Sequence, residues 1–368
     1  MKIAIDVSQV VYGTGVSNYV KNLVVNLLEI DKKNHYLLFG GTLRENKKLT
    51  DFFRQLKGTN FQTKITPFSP HPANLLWNKF HILPIETITG PIDVYLSSDW
   101  AQAPTKKAKT LTIAYDLIPW LYPETLHPKI INTHKNRMAW VKKEVGQIIA
   151  ISQSTKKDLK KIVNIAEEKI TVAYPGLDKN RFFPQSKEKI AQVKKKYQLK
   201  NYILGLGTQE PRKNFNQVIT AFEKLNHHDL ELAIVGKYGW GEKINNKNKK
   251  IKMLGYVPDE DLALLYSGAS VFVYPSLYEG FGMPIVEAQA CGCPVLTSNV
   301  SSMPEAAGQG AILVNPQDNN EIVQSLEKII TNHSFRKNLI KKGKENADRF
   351  SWKESAQKIL RVIKSLQP

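Results

Sequence analysis

The sequence predicts two α/β domains in succession, each a doubly wound parallel sheet with helices on both faces. Three observations carry this reading. Short apolar runs alternate with helix-period stretches through the first half of the chain. A turn-rich passage, Tyr174-Pro175-Gly176-Leu177-Asp178, then breaks the pattern, and Phe182-Phe183-Pro184 closes it. Beyond that break the alternation starts again. Residues 1–178 are therefore expected as one domain and 179–351 as the next, with a last helix, about 352–368, packing back onto the first. Two such sheets imply a cleft between them, a preferred place for ligands.

Ile3–Val7 reads as the first strand, followed by Ser8 and the flexible Tyr12-Gly13-Thr14-Gly15. A helix follows, with Val16, Tyr19, Val20, Leu23, Val24, Leu27 and Leu28 on one side. Tyr36–Phe39, Val94–Ser97, Thr110–Tyr115, Gln147–Ile151 and Ile170–Ala173 are the next strands, with helices at Pro128–Glu144 and Ser154–Val163. After the break come strand Tyr202–Leu206, helix Asn216–Leu225 and strands Leu230–Val235 and Ile251–Leu254. Helix Asp259–Ser267, strand Val271–Tyr274, helix Pro284–Ala290 and strand Pro294–Thr297 complete the second series. Trp352–Leu366 is amphipathic and suits a helix that packs across the molecule.

Composition narrows the classes. The chain has 368 residues, 42% hydrophobic and 23% charged, close to the globular norm, which argues against disorder and coiled coil. Its two cysteines, Cys291 and Cys293, cannot staple a secreted scaffold and fit a reducing cytoplasm. No apolar run approaches the roughly 18–20 residues that span a bilayer, and Asp6 interrupts any signal-peptide core. Lys and Arg number 52 against 33 Asp and Glu, a net charge of +19. Both halves are basic, so no detachable cationic arm exists. Such a field attracts phosphates on nucleotides, lipid headgroups or nucleic acid.

The richest passage is Pro275-Ser276-Leu277-Tyr278-Glu279-Gly280-Phe281-Gly282-Met283-Pro284-Ile285-Val286-Glu287-Ala288. A strand ends, a glycine loop follows, and Pro284 suits the opening of a helix, where its missing N–H costs nothing. N–H groups around Gly282 would face an anion above the helix. Glu279 and Glu287, eight residues apart, can address one pocket from two sides, and carboxylates suit vicinal sugar hydroxyls. An ordinary strand–helix turn with solvated glutamates reads equally well from spacing alone. Arg212 and Lys213, in Glu210-Pro211-Arg212-Lys213-Asn214, follow a strand through Gly205, Gly207 and Thr208, placed to clamp a diphosphate. In a lysine-rich chain two adjacent cations can also be plain surface.

The passage from Pro275 to Ala288 resembles the paired-glutamate motif of glycosyltransferase family 4. The likeness continues through Ala290-Cys291-Gly292-Cys293-Pro294-Val295 and Ser301-Ser302-Met303-Pro304-Glu305 and extends over nearly the whole chain. The resemblance implies the GT-B fold: two Rossmann-like domains facing a cleft, with a nucleotide-sugar donor held mainly by the C-terminal one. By this likeness Glu279 contacts the transferred sugar, Glu287 the ribose hydroxyls, and Arg212 with Lys213 the donor diphosphate. Phe281, Gly282 and Met283 would line the donor site, and Gly15 would let backbone approach the diphosphate. The glycine spacing at Gly13-Thr14-Gly15 departs from the family's usual double glycine. Where many members carry His-Asp, this chain has Tyr115-Asp116, so a histidine role does not transfer and Asp116 is left to orient the acceptor hydroxyl. A strand-end cap explains Asp116 nearly as well.

The implied reaction is transfer of a hexose, mannose from GDP-mannose ahead of UDP-hexoses, to a glycan or lipid-linked acceptor with retention of configuration. No cofactor and no metal are implied, because the cationic pair takes the metal's place. Asp259-Glu260-Asp261 looks like a metal-binding Asp-x-Asp but reads better as the acidic first turn of a helix. Ser154 reads as a helix cap and Ser152 as a neighbour of the donor pocket. The basic, aromatic stretch around Trp140, with Trp77 and Trp120, has the composition of a surface that docks on an anionic membrane, and also that of an ordinary helix that buries Met138 and Val141 and solvates its lysines. The expected location is the cytoplasm, peripheral to the inner membrane face. A sugar-nucleotide isomerase of the same fold should add acid/base residues that the sequence does not supply. A nucleic-acid binder should carry a recognition module, and none is apparent, so nucleic acid is not an expected partner.

Overall fold

The computed structural model describes all residues except 43, 44, 226, 240–243, 245, 246, 367 and 368. The apolar runs become strands because they are buried on both faces. The first sheet holds β1 (Lys2–Asp6), β2 (His35–Gly41), β3 (Phe61–Thr66), β4 (Val94–Ser97), β5 (Lys109–Ala114), β6 (Gln147–Ala150) and β7 (Ile170–Val172). All are parallel, in the order β3-β2-β1-β4-β5-β6-β7. The second sheet holds β8 (Asn201–Leu206), β9 (Leu230–Val235), β10 (Ile251–Gly255), β11 (Val271–Tyr274), β12 (Val295–Ser298) and β13 (Ala311–Val314). It is also parallel, in the order β10-β9-β8-β11-β12-β13. Each sheet reverses its strand order once, beside its first strand. Those reversals, β1/β4 and β8/β11, are the positions where doubly wound sheets bind ligands at their carboxyl ends.

The chain divides into two compact units, residues 1–176 with 351–368, and 177–350. In the first unit the helix Gly15–Ile30 buries Tyr19, Leu23, Leu27 and Leu28, the face its periodicity predicts. A capping box, Thr14 with Ser17, fixes its start. The helix Trp352–Ser365 packs on it, and the Trp352 ring meets Tyr19 edge-on with centroids 5.1 Å apart. In the second unit Ile203, Val218, Leu232, Val273 and Leu296 join one apolar cluster, which Ile322, Leu326 and Ile329 close from the helix Asn319–Thr331.

Elements absent from the sequence reading lie at the margins. β3 is an edge strand with four consecutive exposed residues, so its pattern is too polar to read as a strand. β13 is the opposite edge of the second sheet, and the helix His333–Ala347 that follows is strongly basic. Several local expectations shift. Ser152, fully buried, caps the helix Gln153–Ile162 by accepting the Thr155 N–H at 2.9 Å, the role expected of Ser154. Its burial also removes it from a ligand surface. The helix expected from Pro284 opens one residue earlier, at Met283. Trp77, expected on the surface, is buried and donates its indole N–H to the Leu83 carbonyl. Trp140 stacks on His81 at 3.6 Å, while its own helix buries Met138 and Val141.

The packing of the last helix gives one prediction. Ile359 is fully buried on that helix's inner face, so Ile359→Ala should cost about 2–5 kcal/mol by denaturant titration. Lys353→Ala, on the exposed side, should stay within about 0.5 kcal/mol of the parent.

Candidate active site

The loops that leave β8 and β11 at the second reversal carry the residues singled out from the sequence. Arg212 and Lys213 lie in a short 3-10 turn, Pro211–Lys213, after β8. Asn214 ends that turn in the left-handed region, φ 60°, and its side chain donates to the carbonyls of Pro275 and Pro316. The loop is thereby tied to the chain leaving β11. Gly207 opens the path: its φ is +147°, and a Cβ there would sit 3.1 Å from the Lys213 methylenes. Lys213 can therefore fold inward.

It folds onto Glu279. Lys213 Nζ donates to Glu279 Oε1 at 2.6 Å and to the Tyr274 hydroxyl at 2.8 Å. The Tyr274 hydroxyl donates in turn to the same carboxylate oxygen at 2.9 Å. Arg212 Nη1 lies 3.0 Å from that oxygen and donates to the Tyr278 carbonyl, while Nη2 pairs with Glu210. All four ionic side chains are about nine-tenths buried. Ser301 and Ser302 both donate to the Glu279 carbonyl, fixing the loop's backbone from the turn after β12. Burial opposes ionisation of Glu279, but Lys213 and Arg212 overcome it and bring its carboxyl down to about 2. Burial also lowers Lys213, against the opposing pull of Glu279.

Glu287 meets a different environment. It stands in the helix Met283–Ala290, where the Tyr266 hydroxyl donates to it at 3.2 Å. Burial raises its carboxyl to about 7, and the field of Arg181 only partly offsets this. Arg181 itself is paired with Asp259, 3.1 Å away. The two glutamates thus differ in state at neutral pH: Glu279 is a fixed anion, and Glu287 is near its titration point.

The neighbouring positions fall into place less uniformly. Gly282 precedes the helix at φ +101°, a conformation that favours glycine. Met283 is half-buried as the first helical residue. The Phe281 ring is buried, edge-on to Phe350. Gly15 and Asp116 belong to the other unit. Gly15 begins its helix with open space where a Cβ would be. Asp116 accepts the Ile118 N–H at 3.0 Å, the strand-end turn that was its alternative reading, and also borders a cavity. The structure therefore brings Arg212, Lys213 and Glu279 into direct contact, sets Glu287 a helical turn beyond their loop, and keeps Gly15 and Asp116 in the first unit.

Tyr274 escaped the sequence reading because nothing marks the last residue of a buried strand as polar in function. Asp259, Glu260 and Asp261 form the first turn of the helix Asp259–Gly268, as expected; Asp259 also pairs with Arg181, and Asp261 with Lys196 and the Tyr197 hydroxyl. Among the described residues no group of three His, Cys, Asp or Glu is gathered as a metal site. Cys291 and Cys293 are buried thiols.

The opposite shifts predict opposite stability profiles. Glu279's lowered carboxyl contributes stability that is present above about pH 4.5 and lost as pH falls toward 2. Glu279→Gln should melt below the parent at neutral pH, with the gap closing in acid. Glu287's raised carboxyl favours the native state at low pH and loses that advantage as pH rises through about 7. Glu287→Gln should gain on the parent steadily between about pH 4.5 and 7 and hold a constant margin above. Paired melting curves across pH check both.

Residues 186–346 match the family described as Glycosyl transferases group 1. O-antigen chain mannosyltransferase B of Escherichia coli is 30% identical over 282 residues, 72% of each chain. Serotype-specific mannosyltransferase WbdA of Escherichia coli is 30% identical over 270 residues, 67% of this chain but 32% of its own. This chain therefore aligns with about a third of WbdA. Among solved structures, Anabaena HepE, in complex with UDP and glucose, superposes with a TM-score of 0.75 at 18% identity. That superposition covers 99% of this chain and 100% of HepE, so the fold is shared from end to end. No helix among the described residues is long and apolar enough to cross a membrane. With two parallel Rossmann-like sheets and a relative of this identity and coverage, the chain belongs to the Glycosyl transferases group 1 family and is a GT-B glycosyltransferase.

Proposed function

We propose that the protein transfers mannose from GDP-mannose to a hydroxyl of a glycan or lipid-linked acceptor in surface-polysaccharide synthesis, retaining anomeric configuration. The observation that carries the reading is the buried cluster of Arg212, Lys213 and Glu279 at the reversal of the second sheet. The mannosyltransferase relatives support the choice of sugar.

In this scheme the anomeric C–O bond breaks and its electron pair leaves with the diphosphate. The acceptor oxygen bonds to the same face, and its proton passes to the departing phosphate oxygen. Arg212 and Lys213 stabilise the charge growing on that phosphate, worth most in a site shielded from water. They serve where another transferase would use a metal ion. Glu279 remains ionised and cannot donate a proton; its role is to stabilise positive charge on the sugar and hold its hydroxyls. Glu287, near its titration point, can accept from or donate to vicinal ribose hydroxyls. The acceptor is held by the first unit, where Asp116 orients the attacking hydroxyl.

A lipid-linked acceptor would bring the enzyme to the cytoplasmic face of a membrane. The net charge of +19 favours anionic headgroups, and Phe80 and Ile82 are exposed beside Lys79. We place the protein in the cytoplasm, peripheral to that surface.

A thermal-shift panel of GDP, UDP, ADP and dTDP with excess EDTA tests the donor. At about 100 times its Kd a ligand stabilises by about 2.7 kcal/mol, so GDP should raise the melting temperature selectively. A selective shift with UDP would move the donor to a UDP-hexose, and no shift with any diphosphate, even with magnesium restored, would sink the reading. Arg212→Ala with Lys213→Ala should abolish the shift. Glu287→Ala should weaken nucleotide affinity, whereas Glu279→Gln should cut turnover far more than nucleotide binding. Equal behaviour of those two variants would count against separate ribose and sugar roles.

A further inference from the structure

Arg212 and Lys213 are two buried cations, and Glu279 supplies one anion between them. A second carboxylate, Glu210, completes the group by pairing with Arg212 Nη2. The four side chains are 9–13% exposed, so little water screens one from another. The formal charge of the group is therefore zero before any ligand arrives.

The local fold does not need the Glu210 side chain. Backbone closes the turn Pro211–Lys213, with the Glu210 carbonyl accepting the Lys213 N–H at 3.0 Å, and the Glu210 side chain makes no cap bond. Nor does Arg212 depend on Glu210 for a partner. Its Nη1 donates to the Tyr278 carbonyl at 2.6 Å and lies 3.0 Å from Glu279 Oε1.

What Glu210 adds is charge. Glu279 is shared between Lys213 and Arg212, so without Glu210 the group would carry one uncompensated positive charge. The field of Glu210 also extends beyond Arg212: burial lowers Lys213, and Glu279 and, more weakly, Glu210 oppose that.

A nucleoside diphosphate is strongly anionic. Two unopposed cations in a shielded site would hold it tightly as donor and as product alike. Binding that is equal in the ground and transition states does not raise turnover, and a product held too firmly makes its release the slow step. A carboxylate on the Nη2 side of the guanidinium weakens that hold and leaves Nη1 and Lys213 in place.

We propose that Glu210 is a positioning residue that acts through Arg212, fixing the guanidinium by Nη2 and setting how tightly the site holds the diphosphate, so that the nucleotide product can leave. The proposal rests on the glycosyltransferase reading and deepens it, by giving the cationic pair a built-in counter-charge.

Glu210→Gln keeps the length of the side chain and an oxygen that accepts from Arg212, and removes only the charge. Titration calorimetry on the full chain, at fixed ionic strength, uses whichever of GDP and UDP binds the parent. The variant should bind that diphosphate about tenfold or more tightly. The matching nucleoside, which lacks the phosphates, should show no gain. Glu345→Gln, at an exposed carboxylate in the helix His333–Ala347, should leave affinity unchanged, which separates a local effect from one of net charge. A side chain that only held the loop would act with the opposite sign, and its loss would weaken binding. Should Glu210→Gln fail to fold, Glu210→Asp, which draws the carboxylate back by one methylene, should fold and tighten binding about two- to threefold. Equal or weaker diphosphate binding in the folded variant, an equal gain with the nucleoside, or the same gain in Glu345→Gln would overturn the proposal. If the parent binds a diphosphate in that case, the transferase reading stands and only the role of Glu210 falls; if the parent binds neither GDP nor UDP, both fall.

Discussion

Lys213 lies where an ammonium ion without a counter-charge would be strongly disfavoured, and its bond to Glu279 joins two loops 66 residues apart in sequence. Much of the second unit's ligand face follows from that contact. The loop after β8 must turn inward, which Gly207 permits and Asn214 anchors. The loop after β11 must present a carboxylate at one point, and Ser301 and Ser302 hold its backbone from the turn after β12. Three neighbouring strand ends are thus committed to one ionic cluster. Such a cluster answers burial with paired charge, since loss of either partner would leave an uncompensated ion. Its value is to keep two cations and two carboxylates in fixed relation before any ligand arrives.

Two glutamates eight residues apart illustrate how environment overrides residue type. Glu279 has two cations against it and stays ionised; Glu287 is buried against a phenol, with its nearest cation already engaged by Asp259. The first arrangement suits developing positive charge on a sugar ring. The second suits neutral hydroxyls, where a carboxyl group that can gain or lose its proton is no handicap.

Apart from the extra edge strand β7 the two sheets share a strand order, and their reversals occupy equivalent positions, yet the chemistry gathered at each differs. One concentrates cations around a carboxylate. The other sets carboxyl groups and aromatic faces around a single guanidinium. The fold supplies places where loops converge, and the side chains on those loops decide what each place can recognise.

Much of this was legible in the sequence. Helix Pro128–Glu144 and strands β4, β9 and β11 coincide with their expected limits, because a proline opens the helix and buried apolar runs leave the strands one reading. Edge elements such as β3 were not legible, since half their surface faces water and their composition resembles a loop. Arg212, Lys213, Glu279 and Glu287 stood out by spacing and by position at strand ends. Their protonation states did not, nor did Tyr274, whose partner Lys213 comes from a distant segment. Sequence by itself determined the periodicities, the break between units and the residues able to carry charge, all local properties of the chain. Tertiary structure alone decided which charges meet and which are buried, because those depend on loops that only the sheet order brings together.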